Sequence, residues 1–113
     1  MSQEHIFKKF DTELEQVRAR ILQMGGLVEE QINKAIKALT DGDLALADEV
    51  IASDFHINDL EIQIDEECTK IIALRQPTAG DLRMIMTVEK TITDLERIGD
   101  KAEKIARMAK KIY

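Results

Sequence analysis

Aromatic residues are scarce in this chain. Its 113 residues include three Phe, one Tyr and no Trp, while 34% are charged and 44% apolar. That balance suits helices with much exposed surface and argues against a β-sandwich. Proline occurs once, at Pro77, so long helices have little to interrupt them. Cysteine also occurs once, at Cys68, which excludes an intrachain disulfide and fits a reducing compartment. No run approaches the ~20 apolar residues of a membrane span. The first five residues, Met1 to His5, are polar and lack the apolar run of a signal peptide, so a cytoplasmic protein is expected. Basic residues are outnumbered, 16 Lys and Arg against 22 Asp and Glu, for a net charge of −6. Nucleic acid is excluded as the main partner, because phosphate backbones need a basic footprint.

What is present is helical periodicity. Phe7, Phe10, Leu14, Val17, Ile21, Met24 and Val28 recur at steps of three and four, and Ile32, Ala35 and Leu39 continue the stripe after a stutter. This predicts a first helix over about 6–39. Gly25-Gly26 falls inside it at about 1 kcal/mol per glycine against alanine, which points to a bend, a close neighbour or a break into two helices. Gly42 and Asp43 read as a left-handed stop and the next N-cap. The second helix is expected over about 44–74, with Val50, Ile57, Leu60, Ile64, Cys68 and Ile71 on its seam and Ser53 as the one polar seam position. Pro77 takes Gln76 out of helical geometry, and Thr78 with Asp81 forms a variant capping box. The third helix is expected over about 79–112. Its seam runs through Ile85, Val88, Ile92, Leu95, Gly99, Ala102, Ala106 and Ala109, and Met84, Ile98, Ile105 and Ile112 add a second apolar edge. Short connections make neighbouring helices antiparallel. The expected fold is all-α, one antiparallel three-helix bundle of long helices.

Heptad phase then places the acids. With Val50, Ile57 and Ile64 at position a, Asp54 and Glu61 fall at e, and Asn58 and Asp65 at b. With Ile85, Ile92 and Gly99 at a, Glu89, Glu96 and Glu103 fall at e, and Asp100 at b. In an antiparallel pair the two e flanks share one groove. Folding the hairpin about Gln76-Pro77 puts Asp54 level with Gly99, so Asp54 and Asn58 lie beside Glu96 and Asp100, with Asp65 and Glu89 meeting nearer the turn. Crowded carboxylates repel, and a cation with hard oxygen ligands would compensate them. The same positions also have an ordinary reading as a solvated charged face, in which Asp100 pairs with Lys104 and Glu103 with Arg107.

Several stretches carry a resemblance. Arg75-Gln76-Pro77-Thr78-Ala79-Gly80-Asp81-Leu82-Arg83 and Asp94-Leu95-Glu96-Arg97-Ile98-Gly99-Asp100, with Met24-Gly25-Gly26-Leu27-Val28-Glu29 and Ile64-Asp65-Glu66-Glu67-Cys68, resemble the PhoU family of bacterial phosphate-signalling regulators. The resemblance covers essentially the whole chain. The family's usual member has two tandem three-helix repeats, and this chain corresponds to the first. The family's acid-x-x-x-acid metal motif is matched by Glu96 and Asp100, and by Asp54 and Asn58 with Asn in the second place. Motif and heptad phase together point to a metal site of Asp54, Asn58, Glu96 and Asp100, with Glu61 on the same heptad row as an additional ligand, for a divalent or iron cation (Fe, Mn or Mg). The resemblance also implies a negative regulator of the phosphate-starvation response and phosphate uptake. That regulator is an adaptor between a phosphate ABC transporter and a sensor histidine kinase, meeting them at the inner face of the membrane.

The remaining chemistry-bearing residues have plainer readings. His5 and His56 are preceded three residues earlier by Ser2 and Ser53, so the Glu-x-x-His motif of a di-iron bundle is missing. Both are read as surface histidines. Cys68 lies on a seam as a structural thiol. Lys101, Lys104, Arg107, Lys110 and Lys111 crowd the end of the third helix, where the helix dipole favours cations. No nucleophile–base pair is evident, so turnover is not expected. The other readings are a metal-dependent enzyme using the acidic groove and a purely structural dimerising bundle. The wide apolar stripe of the third helix predicts a homodimer.

Overall fold

A computed structural model describes residues 3–113, with side chains described from Phe10 onward. The expectations for Phe7 on the seam and His5 on the surface lie outside those described side chains. Three helices run α1 (Gln3–Asp41), α2 (Leu44–Arg75) and α3 (Ala79–Ile112). They pack pairwise into a rod of 62 × 19 × 15 Å. The all-α three-helix expectation holds, with no strand among the described residues.

Local chemistry sets the boundaries. Gly42 adopts φ 67, and Asp43 caps α2 by accepting from the Leu46 amide at 3.0 Å. Gln76 ends α2 in the left-handed region at φ 46, ψ 63, a conformation that costs a non-glycine residue. Pro77 follows, and α3 starts on a complete capping box between Thr78 and Asp81. At the other end the Tyr113 hydroxyl donates to the Leu39 carbonyl at 2.9 Å, and its ring covers Gly42. The α1–α2 turn is thus held by the last residue of α3's cap.

The core has two parts of different texture. Toward the α2–α3 turn it is built from large residues, among them Met24, Ile57, Ile64, Ile71, Ile85 and Ile92, all almost completely buried. Toward the α1–α2 turn it is nearly all alanine: Ala35, Ala38, Ala47, Ala102, Ala106 and Ala109 with Val50. Small side chains let the axes approach at that end. Gln31, buried between α1 and α2, donates to the Val50 carbonyl at 2.8 Å, so its amide is not stranded.

Two sequence expectations change. Gly25-Gly26 neither breaks α1 nor admits a neighbour from within the chain: the helix is continuous, and a Cβ at either glycine would meet nothing within 4 Å. Packing along a continuous stripe outweighs the local propensity cost. The second edge of α3 is also only half used. Met84 lines a groove against α1 and Ile105 packs on the alanine cluster, whereas Ile98 and Ile112 stay 41% and 62% exposed.

Candidate functional site: the acidic groove between α2 and α3

The seams of α2 and α3 face each other, so the acids beside them line one groove. Gly99 is buried there, and the Ile57 side chain lies where a Cβ at Gly99 would come within 3.0 Å of it. Asp54 Oδ1 would stand 3.8 Å from that same Cβ position. Asp54 is therefore beside Gly99, as heptad phase predicts.

The partners are offset along the groove. Asp54 meets Glu103 most closely and feels Asp100 and Glu96 at longer range. Glu61 lies near Glu96, and Asp65 meets Glu89. Asp65 and Glu89 meet as the level count gives, whereas the partners of Asp54 and Glu61 lie further from the turn than it gives. The cause is the tilt of every Cα–Cβ bond toward its own helix's N-terminus. Side chains of α2 lean away from the turn and those of α3 lean toward it. Glu103, placed on the acidic row by sequence but left out of the ligand set, is thus drawn into the site. Cβ tilt was the signal that identifies it.

The electrostatics follow from this crowding. Burial and the Glu103 carboxylate, helped by Asp100 and Glu96, push the Asp54 carboxyl up to about 6. Glu103 moves the other way, held down by its hydrogen bond with Asp54 and by Arg107. Of the two, Asp54 takes up a proton first as pH falls. Nearer the turn, burial and the Asp65 contact push Glu89 up to about 7, and burial with Glu96 and Asp65 raises Glu61. Cys68 is fully buried beneath, its thiol pushed up to about 12 by burial and by Glu89, Asp65 and Glu67. It is a structural thiol and no nucleophile.

Part of the charge is met by the protein itself. Lys104 reaches Asp100 at 3.1 Å and Arg107 reaches Glu103 at 2.7 Å, both one turn on. The ordinary pairings read from sequence are therefore present. Asn58 is exposed and makes no hydrogen bond among the described residues. The acids meet in pairs, and no three acidic, His or Cys side chains among the described residues converge as a ready ligand set. The donor set is nevertheless uniform: hard carboxylate oxygens with one amide, the chemistry that suits Mg, Mn or iron.

Elsewhere the charges serve the fold. Arg75 holds Glu13 through two hydrogen bonds of 2.7 and 3.3 Å, and Arg20 reaches Glu67 at 3.0 Å. Lys110 at the basic end of α3 pairs with Asp48 at 2.6 Å. His56 is exposed and lies against the Phe55 ring, with centroids 3.9 Å apart.

Residues 21–109 match the PhoU domain family. The chain is 54% identical over 105 residues to the Phosphate-specific transport system accessory protein PhoU homolog of Pseudomonas aeruginosa, covering 93% of this chain and 43% of that protein. It is 51% identical over 105 residues to the Phosphate-specific transport system accessory protein PhoU of Escherichia coli, covering 93% and 44%. The chain thus spans less than half the length of the curated relatives it matches. Among solved structures, PhoU from P. aeruginosa superposes with a TM-score of 0.86 at 55% identity, covering 88% of this chain and 48% of that one. The phosphate transport system regulatory protein PhoU from Streptococcus pneumoniae gives 0.83 at 35% identity, covering 88% and 47%. Sequence match across the groove-bearing helices and superposition over 88% of the chain lead to one assignment: this chain belongs to the PhoU domain family.

Proposed function

We propose that this chain is a negative regulator of the phosphate-starvation response and of phosphate uptake, a metal-binding adaptor between a phosphate ABC transporter and a sensor histidine kinase. The names of its relatives, accessory and regulatory proteins of phosphate transport, support the setting. The observation that carries the metal reading is the gathering of acids from α2 and α3 into one groove, where burial together with Glu103, Asp100 and Glu96 pushes Asp54 up to about 6. Asp54, Glu61, Glu96 and Asp100 would hold a divalent or iron cation through carboxylate oxygens, with the Asn58 carbonyl as a neutral ligand. Like charges spread apart without a cation, so pairs rather than a closed set are the expected resting arrangement. When bound, the cation supplies charge neutralisation and ties α2 to α3. The chain works in the cytoplasm as a homodimer, meeting its membrane partners peripherally; no helix among the described residues is long and apolar enough to cross a membrane. It turns over no substrate, since the groove offers acids without a nucleophile or a general-base pair.

A second reading, a plain structural bundle, is favoured by the Lys104–Asp100 and Arg107–Glu103 pairs, which already compensate two of the acids. A phosphate-starvation reporter in cells lacking this chain separates the two. The wild type should restore repression, and Glu96→Ala/Asp100→Ala should not while remaining folded. Full repression by that variant would support the structural reading, and a phosphate-ester hydrolysis rate abolished by Glu96→Ala would support an enzyme.

A further inference from the structure

Along the opposite side of the molecule, α1 and α3 leave an apolar groove with no partner. Leu14, Val17, Ile21, Met84 and Val88 line one stretch of it, with Arg18 on the rim. The same α1 face continues through Gly25, Glu29, Ile32 and Ile36 at steps of three and four, so these residues share one side of the helix. Leu22, beside it, is 72% exposed, Ile36 48%, and Ile98 across the groove 41%. Exposed apolar residues collected on one face mark an interface.

Gly25 sits in the middle of this face. Nothing inside the chain accounts for it: the helix is continuous and a Cβ there would meet no atom within 4 Å. A glycine that lowers helix propensity without serving a turn or an internal contact suits close approach by another helix. The charges beside it indicate which helix. Arg18 lies seven residues before Gly25 and Glu29 four after. When two copies of α1 cross antiparallel with their Gly25 residues opposed, Leu14 faces the partner's Ile36. Arg18 then comes within about three residues, roughly 4.5 Å of axial rise, of the partner's Glu29. The two-fold repeats each contact, so the face complements itself in charge and in apolar matching. In the single chain Arg18 holds only Glu15, at 3.0 Å on the exposed surface, a bond readily exchanged. Glu29 has no ion pair among the described residues.

We propose that the α1–α3 face is the self-association surface: α1 of a second copy lies antiparallel across it, centred on Gly25, with reciprocal Arg18–Glu29 pairs. This rests on the homodimer reading above and adds its location and register.

Light scattering on the purified chain at tens of micromolar tests it. The wild type should give twice 12.8 kDa. Arg18→Glu and Glu29→Arg should each lose the dimer, and Arg18→Glu/Glu29→Arg should regain it. Gly25→Leu should also lose it. Gly25→Ala should raise the thermal midpoint of the monomer while weakening association, a combination that damage to the fold cannot produce. A monomeric wild type overturns both this surface and the homodimer reading. A wild-type dimer unaffected by Arg18→Glu and Gly25→Leu overturns the surface alone. A dimer lost in both single charge variants and not regained in the double variant overturns the register.

Discussion

Replacing Glu89 by Gln should make the protein more stable at pH 8 and leave it unchanged at pH 4. Glu89 is pushed from the ordinary 4.5 to about 7 by burial and by the Asp65 carboxyl it contacts across the α2–α3 groove. The folded state thus favours its protonated form. Below pH 4.5 the residue is protonated in both folded and unfolded chains and costs nothing. Between 4.5 and about 7 the unfolded chain releases the proton first, so stability falls as pH rises and levels off above 7. At 1.36 kcal/mol per pH unit the full interval is worth roughly 3 kcal/mol. The groove is open to water on one side, and screening reduces this to about 1–2 kcal/mol. Glutamine keeps the size, removes the charge and can donate to Asp65. Thermal unfolding followed by far-UV circular dichroism, with chelator present, should therefore show a midpoint gain of roughly 4–8 °C at pH 8. That gain should shrink to nothing at pH 4. Asp54 behaves in the same sense over its own window, 3.8 to about 6, offset in part by Glu103, which is held down and works in the opposite sense. A Glu89→Gln variant whose pH profile runs parallel to the wild type would refute the reasoning, because the proton would then belong to some other group.

Other outcomes follow from the packing and the turns. Ile64 is fully buried in the large-residue half of the core. Ile64→Ala should cost about 2–5 kcal/mol in denaturant unfolding, and a loss under 1 kcal/mol would place it outside the core. Gln76→Gly should gain about 0.5–1 kcal/mol by the same measurement, once glycine's extra unfolded-state freedom is subtracted, because φ 46 strains glutamine; a loss would contradict that strain. Gly42→Ala should lose about 1–2 kcal/mol, since the residue has φ 67 and a Cβ there would press on the Tyr113 ring at 3.0 Å; an unchanged midpoint would show that the turn relaxes freely.

The fold was legible in sequence because each of its signals is local. Gly42, Asp43, Pro77 and the Thr78–Asp81 box punctuate the chain, and the three-four spacing of Ile57, Ile64, Ile85 and Ile92 fixes the faces. Gly25-Gly26 misled because propensity speaks of an isolated helix, whereas α1 is held by Val17, Met24 and Val28 in the core. The groove was legible for the same reason as the core: Asp54 and Glu96 sit at fixed phase from the seams. Of its pairings, Asp65 with Glu89 was legible and the partner of Asp54 was not, because a count of level residues ignores the direction in which side chains leave the helix. Cβ tilt moves the nearest partner of Asp54 to Glu103. Whether acids at such positions bind a cation depends on side-chain rotation and hydration, which heptad phase does not encode.

Calorimetric titration of the metal-stripped chain with Mn2+, run beside Glu96→Gln/Asp100→Asn, tests the central claim most directly. The wild type should bind and gain thermal stability as the ion is added, since an ion held only by the folded state shifts the equilibrium by mass action. The double variant should bind far more weakly while keeping its helical signal and, without metal, a midpoint equal to or above the wild type's. Equal binding by the two proteins, or no binding by the wild type to Mn2+, Mg2+ or Fe2+, would contradict the assignment of the α2–α3 groove as a metal site.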